Sequence, residues 1–73
     1  MKIERYGNTV TCRFTEQEVA QGKAETVVHW MRRHRGHNLT FHAKTRELFH
    51  QGNRETNRDI FQYLEKIKRR LDA

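Results

Sequence analysis

Residues 27–38, VVHWMRRHRGHN, put three arginines, three histidines and the chain's only tryptophan within one short run. Arginine forks match the geometry of phosphate oxygens. Imidazoles can bind metals or move protons. Four Arg and Lys fall within residues 32–44, with three His between them. A helix end needs only one or two cations to offset its dipole. The excess points to anion contact by Arg32, Arg33, Arg35 and His37, joined by Lys44 and Arg46 just downstream. Trp30, Phe41 or Tyr6 could add base stacking, although Trp30 and Phe41 suit a core better and only Tyr6 is placed to face out.

Other chemistries fit less well. His29, His34, His37, His42, His50 and Cys12 are six potential metal ligands. Zinc sites favour paired spacings, and His34-x2-His37 is the one close pair, so no metal or other cofactor is expected. His42 and His50 could face each other across a hairpin with Lys44 or Arg46 nearby, as base, acid and cation of a metal-independent ribonuclease. No carboxylate pair, nucleophile motif or phosphate loop accompanies them, and the reading is non-enzymatic. Cys12 sits among Ile3, Val10 and Phe14 and reads as a small buried apolar residue.

These side chains must be positioned by a very small chain. Seventy-three residues make one domain, spanning 1–73. Hydrophobic residues are 34% and charged residues 33%, lean for a core but periodic enough to fold. A chain this short leaves its stability thin, and either a monomer or a homodimer is expected. Fifteen Lys and Arg against nine Asp and Glu give a formal charge of +6, which favours polyanions. One cysteine fits a reducing cytosol, the opening MKIERYGN has no apolar h-region, and no apolar run approaches the roughly 20 residues of a membrane span. The expected location is therefore cytoplasmic, with no membrane partner.

The elements follow from periodicity and turn chemistry. KIERYGNTVTCRF reads as a β-hairpin turning at Gly7-Asn8. That loop opposes Tyr6 to Thr9, Arg5 to Val10, Glu4 to Thr11 and Ile3 to Cys12. One face then carries Ile3, Val10, Cys12 and Phe14; Lys2, Glu4, Tyr6, Thr11 and Arg13 face water. Thr15 and Glu18 form a capping box, with Phe14 and Val19 at staple positions. They open a helix expected over residues 16–35 and closed by Gly36. Ala20, Ala24, Val27, Val28 and Met31 make its apolar stripe, opposite His29, Arg33 and Gly22; Trp30 flanks the stripe, half buried. Residues 39–51 suit a second hairpin turning at Lys44-Thr45-Arg46, with a short helix as the alternative. The last segment is an amphipathic helix with Ile60, Leu64, Ile67 and Leu71 along one side, Phe61 and Tyr63 beside them, and Asn53 or Thr56 at its start. Asp59 is expected in its first turn. The fold class is α+β in the order ββαββα, with each hairpin followed by a helix that packs on the sheet.

No RNP1 signature, GXXG loop, paired-cysteine finger or helix-turn-helix is present. The function expected is a binding module for nucleic acid or a protein–nucleic-acid complex. The alternative is a small inhibitor or adaptor, of the phage or mobile-element type, docking on the acidic surface of a larger nucleic-acid-processing machine.

Overall fold

A computed structural model describes residues 1–35 and 38–72. The two apolar-faced hairpins join into one four-stranded antiparallel sheet. Strands β1 (Lys2–Tyr6) and β2 (Thr9–Arg13) form the first hairpin, and β3 (Leu39–His42) and β4 (Glu47–Gln51) the second. The order across the sheet is β1-β2-β4-β3, so β2 and β4 are central. The first hairpin has the register its loop predicts, Ile3 opposite Cys12 through Tyr6 opposite Thr9. Gly7 supplies the positive φ of 52° that the turn needs.

The second hairpin turns at residues 43–46, as expected, without an Asn-Gly pair. Arg46 takes the left-handed conformation instead, at φ 59°. Two hydrogen bonds to Phe14 hold it there: the Phe14 amide donates to the Arg46 carbonyl at 2.9 Å, and Arg46 Nε donates to the Phe14 carbonyl at 3.2 Å. A long-range clamp thus does the work of local turn chemistry.

The first helix departs from the single run expected over residues 16–35. It is two helices, α1 (Glu16–Ala20) and α2 (Lys23–Arg35). Gly22 stands between them at φ 77°, a conformation no α-helix contains. The Thr15–Glu18 capping box forms as expected, and Glu18 also accepts from the Met1 ammonium at 2.6 Å. Burial opposes charge on Glu18, yet hydrogen bonds from that ammonium and from Thr15 hold its carboxyl below the usual range. After the break the helical wheel restarts. Ala24, Val27, Val28 and Met31 are buried, while Ala20 is exposed and leaves the expected stripe. Val19 is exposed too, while Phe14 is buried. The expected closing glycine, Gly36, lies outside the described residues.

The last helix, α3 (Arg54–Asp72), is capped by Asn53. Asn53 Oδ1 accepts from the Thr56 amide at 2.9 Å, and Thr56 Oγ1 accepts from the Asn53 amide at 3.0 Å. Glu55, not Asp59, is the acid of its first turn. Ile60, Leu64 and Ile67 of α3 meet Val10, Cys12, Leu48 and the α2 stripe in one core. Helices α2 and α3 therefore share one face of the sheet. Phe14 packs edge-on against Phe41, with ring centroids 6.2 Å apart.

One polar pair is built into this core. His50 and Asn57 are buried, with His50 Nδ1 3.2 Å from Asn57 Oδ1. The Asn57 amide nitrogen donates to the Gly7 carbonyl at 3.5 Å. The Asn57 oxygen is therefore the acceptor, and His50 donates from Nδ1. No buried side-chain polar atom among the described residues lacks a partner.

Candidate nucleic-acid interface

The described members of the six-residue grip read from the sequence do not form one cluster. Arg32 and Arg33 are adjacent and exposed on α2. Arg35 ends α2, and His37 lies outside the described residues. Lys44 is exposed in the second turn, whereas Arg46 is half buried and bound to Phe14. Leu39 pairs with His50 and His42 with Glu47, at opposite ends of β3. Helix α2 leads into the Leu39 end, and the turn carrying Lys44 and Arg46 lies beyond the His42 end. Three strand steps, about 10 Å, separate those ends before either loop is counted. The expected approach of Lys44 and Arg46 to the α2 terminus is not what the fold builds.

The facing of His42 and His50 is also corrected. The four-residue turn sets His42 opposite Glu47 and His50 opposite Leu39. His42 lies on the uncovered face, edge-on to Phe49 with centroids 5.2 Å apart; His50 points into the core. The two imidazoles occupy opposite faces of the sheet and cannot work as an acid–base pair. Among the described residues, no three His, Cys, Asp or Glu side chains gather as a metal site. No described helix is long and apolar enough to cross a membrane.

What the fold does bring together is α2 and α3. The His34 ring lies flat on the Tyr63 ring, centroids 3.8 Å apart and planes 4° from parallel. His34 Nε2 stands 3.1 Å from Asp59 Oδ2. A carboxylate accepts only, so Nε2 carries the proton. Two adjoining clefts run along this seam. One is lined by His34, Asp59, Gln62, Tyr63, Lys66 and Arg69; the other by Trp30, Tyr63, Lys66, Ile67 and Arg70. Trp30 and Tyr63 are half buried. They form the aromatic floor, and Lys66, Arg69 and Arg70 form the basic rim.

The charge distribution is lopsided. Helices α2 and α3 hold ten of the fifteen Lys and Arg but five of the nine acids, so five of the six net positive charges lie in the helical layer. Ion pairs among the described residues join Lys2 to Glu4, Arg13 to Glu47, His34 to Asp59 and the Met1 ammonium to Glu18. Arg32, Arg33, Lys66, Arg69 and Arg70 take part in none of them. Sequence reasoning passes over Lys66, Arg69 and Arg70 because dipole compensation accounts for cations at a helix end. Their spacing holds a further signal: Tyr63, Lys66 and Arg70 recur on one side of α3, three and four residues apart.

Comparison with protein-family models, curated proteins and solved structures returns no match. The class defined by fold and charge is a small α+β domain with a basic helical layer on one face of an antiparallel sheet.

Proposed function

We propose that the chain is a non-enzymatic nucleic-acid-binding module that grips phosphates along the α2–α3 seam. The observation that carries this reading is a set of cations outside the ion pairs of the described residues, Lys66, Arg69 and Arg70, rimming the stacked Tyr63 and His34 rings. Dipole compensation explains one or two cations at the end of α3. It does not explain why they rim the same seam beside Trp30 and Tyr63, with Arg33 on the neighbouring helix. Phosphates supply the missing counter-charge, and their binding releases condensed ions. The exposed side of the His34–Tyr63 stack offers a surface on which an unpaired base can lie.

The test is fluorescence anisotropy with labelled single-stranded and duplex oligonucleotides across a salt series. Affinity should fall as salt rises, and Arg33→Gln with Arg69→Gln should flatten the logarithmic slope by about one for each phosphate that is no longer neutralised. Binding without salt dependence, or a double variant with unchanged slope, rejects the reading. A lysate pull-down with and without nuclease separates the alternative. One stoichiometric protein retained after nuclease, and absent from the same double variant, would make the seam a dock for an acidic protein.

A further inference from the structure

A second cationic cluster lies at the other end of α3 and is absent from the grip just described. Arg5 of β1 and Arg54 and Arg58 of α3 line one cleft of about 270 Å³, with Glu55. Arg5 opposes Val10, so it stands on the face of the sheet that α3 covers. Arg5 on one element and Arg54 and Arg58 on another, distant in sequence, thus line the same cleft. None makes an ion pair with a described residue, Glu55 included.

The placement runs against helix electrostatics. A helix N-terminus carries partial positive charge and favours acids in its first turn. Here Arg54 is the first residue of the helix and Arg58 stands one turn later. Like charges four residues apart on a helix repel, and Arg5 adds a third. Capping does not require these arginines, because Asn53 and Thr56 already satisfy the start of the helix. Arg69 and Arg70, by contrast, sit where the dipole welcomes cations. An anion held among the three guanidinium groups would turn repulsion into attraction and would also meet the positive end of the helix.

The geometry points to a phosphate-binding site formed by Arg5, Arg54 and Arg58, taking a phosphomonoester group. The planar, multiply donating forks suit a tetrahedral dianion, and the cleft of about 270 Å³ has room for such a group together with a substituent. The site is separate from the α2–α3 seam and does not depend on it.

Calorimetric titration with inorganic phosphate, against chloride at matched ionic strength, tests the site. Saturable one-to-one binding is expected, weakened about tenfold by Arg58→Gln. In phosphate-free buffer the same variant should melt higher than the parent, because the repulsion is relieved. Lys68→Gln should leave phosphate affinity unchanged. Absence of saturable binding beyond chloride, or full affinity in Arg58→Gln, overturns the proposal. Oligonucleotides with a 5′-phosphate or a 5′-hydroxyl identify the source. A preference for the phosphorylated end that Arg58→Gln abolishes assigns the site to a nucleic-acid terminus. Equal binding of the two, with inorganic phosphate still bound, assigns it to a small phosphomonoester. Arg33→Gln with Arg69→Gln should spare phosphate binding, so failure of the seam and failure of this site read out separately.

Discussion

A β-carbon at Gly52 would stand 2.4 Å from Thr56 Oγ1, 3.1 Å from His50 Cε1 and 3.3 Å from Asn57 Oδ1. Those atoms belong to the α3 cap and to the buried His50–Asn57 pair, so none can yield without loss of a hydrogen bond. Gly52→Ala is expected to cost about 1–3 kcal/mol, read as a drop of several degrees in the melting point. Arg46 makes a different kind of case, because its backbone strain and its side-chain bond oppose each other. Arg46→Ala keeps a non-glycine residue at φ 59° and loses the bond to Phe14. It should destabilise by about 1 kcal/mol and leave nucleic-acid affinity unchanged; a selective loss of affinity would return Arg46 to the binding surface. Cys12 is fully buried, and burial pushes its thiol up to about 12 from the ordinary value of 9.0. A thiol reagent should modify it only at the rate of unfolding. The folded state favours the neutral thiol, so its contribution to stability is whole below pH 9.0 and is lost as the pH rises toward about 12. Urea melts at pH 8 and pH 10.5 check this sign: the midpoint must be lower at the higher pH.

At the scale of elements, the parts governed by local rules are the legible ones. The first hairpin's register follows from one Gly-Asn loop, because a two-residue connection leaves a single pairing. The two helix starts follow from side chains that satisfy orphan amides, Thr15 with Glu18 and Asn53 with Thr56. The break at Gly22 is not legible, because a lone glycine on the polar side of an amphipathic pattern is tolerable in a helix, and nothing local distinguishes tolerance from a break. The structure shows how the break is made: the Gly22 amide donates to the Val19 carbonyl at 3.0 Å, φ 77° then turns the chain out of α1, and the Gly22 carbonyl accepts from the Thr26 amide at 3.2 Å. It thereby starts α2 afresh and redirects it over the sheet. Gly22→Ala should therefore destabilise by about 1 kcal/mol or more, since alanine at φ 77° is strained even though open space surrounds the site. If α1 and α2 instead fused into one helix, helical circular dichroism would rise and the melting point would hold.

At the scale of the whole molecule, the sign of the charge is legible and its layout is not. Composition alone yields +6. That His34 and Arg69 line one cleft depends on α2 and α3 lying side by side, and this follows only once β2 and β4 pair at the centre of the sheet. The same long-range pairing sends Lys44 away from the α2 terminus and brings Arg5 to Arg54 and Arg58. A basic protein can hold nucleic acid through its overall field or through one face, and two double variants tell these apart. Lys2→Gln with Arg13→Gln removes two charges from the uncovered sheet face, where both cations are already paired with Glu4 and Glu47. Arg33→Gln with Arg69→Gln removes two from the helical layer. Both lower the formal charge equally, and all four side chains are exposed, so each double variant should stay folded, with surface changes within about 0.5 kcal/mol per site. If a uniform field held the nucleic acid, both would weaken binding alike. With the seam as the grip, the helical pair should lose affinity and salt slope together, while the sheet pair binds like the parent apart from a small fall in association rate at low salt.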